Sequence, residues 1–185
     1  MAVFLLTSCG AKRKVLSSGG ASYGNTSTRK SIPTDASDAR GKSWSASGID
    51  NYAAILGVSA RDLKNKYLYP FIDEWLRSPH RPGGTKPSGI DCRGFVGVLY
   101  REVYGKDLPR TSRDMGAQVK RKYERQLREG DLVFFSFSGK NIDHVGVYLH
   151  NNKFVHVSTR RGVIISDIKD SWYYKYFVRA GTPKI

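Results

Sequence analysis

The chain has 185 residues with a mean hydropathy of −0.45, and 39% of its residues are hydrophobic. This length and composition fit one compact domain with an extension, which excludes a large multidomain assembly and wholesale disorder. Lys and Arg total 31 against 16 Asp and Glu, so the formal charge of +15 favours anionic partners such as nucleic acid, anionic lipid or an acidic polymer.

The first nine residues end in a pattern that is typical of an export signal. An apolar run over residues 1–8 finishes in small residues before Cys9, and Leu6-Thr7-Ser8-Cys9 resembles the lipobox at which bacterial lipoproteins are cut and lipidated. We interpret residues 1–8 as the remnant of a lipoprotein signal peptide and expect a lipid on Cys9. The protein is then expected in the cell envelope, anchored to a bacterial membrane, the outer membrane facing the periplasm. The alternative is a chance apolar terminus with a free thiol.

Residues 9–48 are predicted to form a flexible, basic tether behind this anchor. Of the 39 residues from 10 to 48, 18 are Ser, Thr or Gly, seven are basic and two are acidic. Such a segment buries too little apolar surface to offset the entropy lost on ordering. Its positive charge predicts attraction to anionic lipid headgroups, and the alternative is an ordinary solvated linker.

Residues 49–185 form the predicted domain, and helical periodicity comes first. Helices are predicted over residues 50–56, 63–76 and 91–104, and the last of them ends at Gly105. Proline and glycine residues between 78 and 84 separate the second helix from the third.

A period of two follows in the second half of the domain. Strands are predicted at residues 132–137, 142–149, 154–157, 163–168 and 172–178. Because helices precede strands, the sequence predicts an α+β fold with an antiparallel sheet or a small open barrel.

The chain has two cysteines, and we expect no disulfide between them. Cys92 lies at the predicted start of the third helix, on its apolar face, and Asp91 is a plausible N-cap. Unpaired N–H groups and the helix dipole at such a position stabilise a thiolate, so the sequence predicts a lowered thiol pKa. The alternative is a buried structural cysteine. Gly94 and Gly97 are expected to let the helix approach its neighbour closely.

Two histidines lie on consecutive predicted strands. Alternation directs His144 away from the aliphatic face of its strand, and His156 shares that direction only if the connecting loop has an odd number of residues. A three-residue loop of residues 150–152, with Asn152 left-handed, meets this condition. Gly146 then lies opposite His156 and leaves room for both imidazoles. The alternative is two unrelated surface histidines.

A thiol, an imidazole to take its proton and a second imidazole to orient the first are the parts of a cysteine hydrolase. We assign these roles to Cys92, His144 and His156, in that order, and expect neither a metal nor an organic cofactor. A zinc site with the same three ligands is the competing interpretation, and it is weakened because the sequence has no short-range ligand pair.

Six linked motifs in this chain resemble those of the NlpC-type family of cell-wall cysteine peptidases, over residues 50 to 182. They are Gly83-Gly84-Thr85, the segment 88–96 with the sequence SGIDCRGFV, Leu108-Pro109-Arg110-Thr111-Ser112, 130–135 with GDLVFF, 144–149 with HVGVYL and 154–158 with FVHVS. The resemblance implies a papain-like fold and hydrolysis of peptidoglycan stem peptides, typically at the bond between the γ-carboxyl of D-glutamate and diaminopimelate. It also implies that Cys92, His144 and His156 are the catalytic residues.

The chain departs from the family pattern at Arg93 and His80, which together with Asp91 are the candidate substrate-binding residues. The family usually has serine after the nucleophile, and here Arg93 would repel the substrate amine that Asp91 and this serine help to hold in members that trim free stem peptides. His80 stands where the family often has an aromatic residue. It either lines the site or is exposed, and exposure is favoured.

Two other function classes remain open from the sequence. One is a binding module of the same fold with a weak or inactive site, which holds cell-wall polymer through its positive surface. The other is nucleic-acid binding, which the charge and eleven tyrosines suggest; it lacks a recognisable motif, so no nucleic-acid partner is expected. The oligomeric state is left open.

Overall fold

A computed structural model describes residues 45–185. The predicted signal remnant, the lipidation site Cys9 and nearly all of the predicted tether lie outside these residues. Five α-helices are found in the described part: α1 (Ala46–Leu56), α2 (Leu68–Trp75), α3 (Cys92–Leu99), α4 (Ser112–Ala117) and α5 (Ser171–Tyr176). Short 3-10 helices cover Ala60–Asp62 and Glu124–Gln126, and Tyr100–Tyr104 continues α3 as a π-helical turn. No helix in this part of the chain is long and apolar enough to cross a membrane.

Helix ends follow local sequence chemistry. The side chains of Ser45, Asp91 and Thr111 accept N–H bonds at the starts of α1, α3 and α4. At the other end, Gly57 after α1 and Gly105 after the π-helical turn adopt left-handed conformations with φ of 65° and 66°. The predicted end of the third helix at Gly105 is therefore confirmed.

Within residues 45–185, eight strands form two antiparallel sheets. The strands are β1 (Thr85–Lys86), β2 (Gly89–Ile90), β3 (Val119–Arg121), β4 (Leu132–Phe135), β5 (His144–Tyr148), β6 (Lys153–Ser158), β7 (Gly162–Asp167) and β8 (Phe177–Pro183). The first two strands form a small hairpin, and the other six form one sheet in the order β3-β8-β4-β5-β6-β7. The predicted α+β class with an antiparallel sheet is confirmed.

Each face of the large sheet carries its own apolar cluster. On one face, α3 packs on β5 and β6, and the apolar cluster there includes Val145 and Val155 together with residues of α2. On the other face, Phe135, Phe154 and Tyr148 pack with partly buried aromatic residues of α5. Because strand residues alternate between faces, β5 contributes to both clusters. The start of β5 lies where helix α3 meets the sheet.

The first predicted helix starts four residues too late, since α1 begins at Ala46, and two other predicted elements are wrong in part. Residues 63–67 are not helical, because the side chain of Asn65 accepts the N–H groups of Tyr67 and Leu68 and fixes the start of α2 there. The segment 172–178 is not one strand: α5 occupies it up to Tyr176 and β8 begins at Phe177. Its aromatic residues pack on Phe137 and Phe135, so tertiary packing overrides their strand propensity.

Candidate active site

The start of α3 is held by Asp91. Its carboxylate accepts the N–H of Gly94 at 2.7 Å and the N–H of Gly83 at 3.0 Å, and the guanidinium of Arg93 donates to it at 2.8 Å. Burial raises the pKa of Asp91, but these three donors outweigh burial and leave the pKa below its ordinary value. The capped turn places Cys92 as the first helical residue.

The loop before the helix packs directly against it. A Cβ on Gly94 would lie 2.3 Å from the carbonyl oxygen of Gly84, and a Cβ on Gly84 would lie 2.2 Å from the carbonyl oxygen of Gly89. Only glycine permits this contact, so the close approach predicted for Gly94 is confirmed. Gly97 has no atom within 4 Å of the Cβ position, so the same prediction is wrong for Gly97.

The thiol of Cys92 is partly buried against the start of β5. The backbone N–H groups of Val145 and Arg93 interact with the sulfur. In β5 the residues paired with β6 are Val147 and Tyr148, so this pairing does not extend to Val145.

The pKa of the Cys92 thiol lies above its ordinary value. Burial is the largest cause and the negative charge of Asp91 adds to it, while the N–H of Val145 and the charge and N–H of Arg93 oppose both. The prediction of a lowered thiol pKa is therefore wrong. The N–H of Arg93 at the helix start does favour the thiolate, as expected, but the loss of water around the sulfur outweighs it.

The two histidines lie side by side on the hairpin of β5 and β6. Nε2 of His144 is 2.9 Å from Nδ1 of His156, and Leu149 and Lys153 are joined by a backbone hydrogen bond across the loop of residues 150–152. The predicted odd loop and shared direction are thus confirmed. Asn151 as well as Asn152 is left-handed, with φ of 45° and 62°.

Gly146 makes this pairing possible. A Cβ at this position would lie 2.7 Å from Cδ2 of Phe154, 2.8 Å from the carbonyl oxygen of Val155 and 3.1 Å from Cβ of His156. These distances are below ordinary van der Waals contact, so the strand tolerates only glycine here. The role predicted for Gly146 is confirmed.

His144 is 9% exposed and has an aromatic wall on one side. The ring centres of Phe137 and Phe135 lie 5.2 and 6.0 Å from its own. Burial lowers the pKa of His144 to about 4; Asp143 works against this shift and the charge of His80 adds to it. Because Nε2 is bonded to His156, Nδ1 is the nitrogen that remains for another partner.

His156 is 2% exposed and has hydrogen-bond partners at both nitrogens. Its Nε2 lies 3.0 Å from Oγ of Ser166 on β7 and 3.1 Å from the hydroxyl of Tyr173 on α5, and its ring stacks on Phe154. Burial is the largest cause that lowers the pKa of His156, and the charge of His144 adds to it.

Sequence reasoning missed Ser166, Tyr173 and Phe137 as neighbours of this pair. Ser166 was detectable, since it is the polar residue that directly follows the apolar run 163–165 of β7. Tyr173 and Phe137 were not, because the first belongs to a segment predicted as a strand and the second, predicted inside the strand 132–137, lies beyond the end of β4 at residue 135.

The three predicted substrate-binding residues are arranged differently from one another. Asp91 is buried with its oxygens used by three donors of this chain, whereas the Arg93 side chain is 45% exposed. His80 is half-buried beside Ile90, so the favoured exposed position is wrong, and its charge adds to the lowering of the pKa of His144. Contact of any of these residues with substrate stays a prediction.

The geometry does not favour the zinc interpretation. Nε2 of His144 and Nδ1 of His156 face each other in a hydrogen bond, so these two nitrogens do not converge on a shared ion. Within residues 45–185, no group of three His, Cys, Asp or Glu side chains is placed to hold a metal ion.

A sequence model of the NlpC/P60 family matches residues 77–182, which contain Cys92, both paired histidines and the strands that carry them. The chain belongs to the NlpC/P60 family. The family predicted from the six motifs is therefore confirmed.

Two curated relatives support this assignment. The chain is 41% identical over 122 residues to the murein DD-endopeptidase MepS/murein LD-carboxypeptidase of Escherichia coli strain K12. This alignment covers 64% of the NlpC/P60 chain and 62% of the MepS protein. Over 110 residues the chain is 38% identical to the probable endopeptidase NlpC of the same strain, covering 59% of this chain and 71% of that protein. The chain therefore matches less than two thirds of the length of the MepS relative.

Solved structures of the family share the fold. An NlpC/P60 family protein from Bacillus cereus ATCC 10987 has a TM-score of 0.57 at 27% identity, covering 68% of this chain and 40% of that one. The NlpC/p60 domain of the peptidoglycan hydrolase SagA has a TM-score of 0.54 at 23% identity, covering 62% and 95%. These likenesses confirm the predicted papain-like α+β fold.

Proposed function

We propose that the protein is a cysteine peptidase that hydrolyses an amide bond in the peptide stems of peptidoglycan. The observation that carries the proposal is the 2.9 Å bond between His144 and His156, next to the N–H of Val145 that interacts with the thiol of Cys92. Nucleophile, base and orienting group are the parts that covalent amide hydrolysis needs. The name of the MepS relative supports the class of substrate, and the names of the MepS and NlpC relatives both support endopeptidase activity.

In the proposed reaction, Nδ1 of His144 takes the thiol proton while the sulfur of Cys92 attacks the amide carbonyl. His144 then gives this proton to the leaving amine, and afterwards it activates the water that hydrolyses the thioester. Since burial favours the neutral forms of both groups, the resting pair is an uncharged thiol and an uncharged imidazole. Proton transfer therefore accompanies the attack.

The negative oxygen of the tetrahedral intermediate needs a hydrogen-bond donor. Asp91 uses the N–H groups of Gly94 and Phe95, so the N–H of Cys92, at the open end of the same helical turn, is the proposed donor. Loss of such a donor typically costs about 3 kcal/mol of transition-state stabilisation.

Two bonds are candidates for cleavage. The family resemblance implies the bond between D-glutamate and diaminopimelate, whereas the DD-endopeptidase part of the MepS relative's name favours a bond between two D-residues. Arg93 bears on this choice, because it pairs with Asp91 at 2.8 Å and its positive charge would repel a free amine that approaches this carboxylate. We propose that peptides with such a free amine are poor substrates.

The proposed location is the cell envelope, with a lipid on Cys9 holding the protein at the outer membrane. The lipobox-like segment before Cys9 and the wall hydrolases among the relatives support this. Fractionation of cells tests it: the wild-type protein is expected with membranes and Cys9→Ala in the soluble fraction. Equal distribution of the two proteins would rule out the anchor.

Digestion of purified peptidoglycan fragments tests the activity, with products identified by mass spectrometry. Cross-linked dimers and free stem peptides serve as separate substrates. Wild type is expected to release peptide products, and Cys92→Ala and His144→Ala are expected to lose about 10³-fold or more in rate. His150→Ala is the matched control, because His150 pairs with Glu129 at 3.2 Å and not with the other histidines. Equal product from wild type and both site variants would refute the assignment.

A wall-binding module with a weak or inactive site is the second candidate. The raised pKa of Cys92 favours it, since a thiol that stays protonated is a poorer nucleophile. Sedimentation with insoluble peptidoglycan separates the two functions. Wild type that binds the wall but releases no product from either substrate would select the module.

A further inference from the structure

The hydroxyl groups around His156 occupy the side of the ring that faces away from His144. Oγ of Ser166 and the hydroxyl of Tyr173 lie 3.0 and 3.1 Å from its Nε2, and Ser166 Oγ donates to the Tyr173 oxygen at 3.4 Å. With its proton directed at Tyr173, the serine oxygen presents a lone pair to Nε2.

The proposed reaction requires one particular tautomer of His156. For Nδ1 of His144 to accept a proton from Cys92, the neutral imidazole of His144 carries its hydrogen on Nε2. That hydrogen is donated to Nδ1 of His156, which must present a lone pair, so the hydrogen of His156 lies on Nε2. The same holds once His144 is protonated, because Nε2 of His144 still carries a hydrogen.

We propose that Ser166 and Tyr173 are positioning residues that keep the hydrogen of His156 on Nε2. They do so by accepting it, and thereby they hold Nδ1 as an acceptor aimed at His144. Without these two hydroxyl groups, His156 also populates the form with its hydrogen on Nδ1. The Nδ1–H of His156 then faces the Nε2–H of His144, and the hydrogen bond between the two rings is lost. The inference deepens the proposed peptidase function and its kinetic consequences rest on that function.

The tautomer itself is measurable without any substrate. Long-range ¹H–¹⁵N correlation spectra at pH 7.5 distinguish the two forms, and the chain has four histidines, so His156→Gln assigns the signals. The wild type is expected to show hydrogen on Nε2 of His156, and Ser166→Ala/Tyr173→Phe is expected to show a mixture. Hydrogen on Nδ1 in the wild type, or an unchanged spectrum in the double variant, overturns the proposal.

Kinetics on a peptidoglycan fragment give the second readout. The double variant is expected to lose about tenfold in kcat with KM unchanged, which corresponds to about 1.4 kcal/mol. Ser166→Thr keeps a hydroxyl and is expected to recover most of the rate lost by Ser166→Ala. In a His156→Ala background the two hydroxyl changes are expected to have no further effect, and an undiminished tenfold loss there overturns the proposal.

The two readouts separate failure of this inference from failure of the proposed function. Suppose that the wild type shows the expected tautomer and the double variant shows the expected mixture, but neither protein cleaves peptidoglycan. The positioning role is then supported and the peptidase assignment is refuted. If the wild type cleaves peptidoglycan but His156 carries its hydrogen on Nδ1, the peptidase assignment is supported and the positioning role is refuted.

Discussion

Nε2 of His144 lies 2.9 Å from Nδ1 of His156, with the two rings nearly perpendicular at 86°. Both rings are buried, and burial lowers the pKa of each. A charged imidazolium in this place loses its hydration, so the pair is neutral at physiological pH. This pair therefore takes up a proton at a lower pH than a histidine in water does.

The first prediction is the pH dependence of catalysis. Since the pKa of His144 is lowered to about 4, the base stays unprotonated well below pH 6.5. We expect kcat/KM to remain flat from pH 8 to about pH 5 and to fall below that, in a stopped assay on a peptidoglycan fragment. Circular dichroism at each pH is the control for unfolding. An acid limb centred at pH 6.5 or above would contradict the neutral resting pair.

The second prediction concerns stability in acid. The folded pKa of His144 lies below its unfolded value, so its contribution to stability is complete above pH 6.5 and is lost as the pH falls from 6.5 towards 4. For His144 alone the loss at pH 4.5 is about 2–3 kcal/mol. Urea unfolding at pH 7.5 and 4.5 measures it.

The control for this loss is a variant without the two imidazoles. His144→Gln/His156→Gln is expected to lose clearly less stability than wild type between the two pH values. The carboxylates with lowered pKa, such as Asp91, contribute mainly below this window, because their stabilisation is lost only as the pH falls through their folded pKa. An equal loss in wild type and variant would assign the acid sensitivity to other groups.

The histidine pair was predictable from the sequence because it depends on short-range rules. Strand alternation fixes the face of His144 and His156, and an odd loop fixes their register. The position of Cys92 at a helix start was predictable for the same reason, from Asp91 as a cap and the helical spacing after it.

The parts that sequence reasoning missed depend on packing between distant segments. The thiol of Cys92 has a raised pKa because the surrounding chain removes its water, and no local motif encodes that. Tyr173 reaches His156 only because α5 packs its aromatic residues on Phe135 and Phe154, against their strand propensity.

The third prediction is that two neighbours move the pKa of Cys92 in opposite directions. Asp91 raises this pKa and Arg93 lowers it. Asp91→Asn keeps an N-cap and is expected to make Cys92 react faster with iodoacetamide at pH 7.5, whereas Arg93→Gln is expected to slow the reaction. Mass spectrometry of the Cys92 peptide reads the rate separately from Cys9. A change of the same sign in both variants would refute this electrostatic account.

The fourth prediction compares two glycines. At Gly146 a methyl group would meet Phe154, Val155 and His156 within 3.1 Å, so Gly146→Ala displaces His156. We expect a loss of about 1–3 kcal/mol in unfolding free energy and at least about tenfold in kcat. Gly97→Ala is the matched control: its Cβ position has no atom within 4 Å, and alanine in a helix interior is expected to stabilise by up to about 1 kcal/mol. Because both changes add one methyl group, an equal effect on kcat would show that the space beside His156 is not what Gly146 provides.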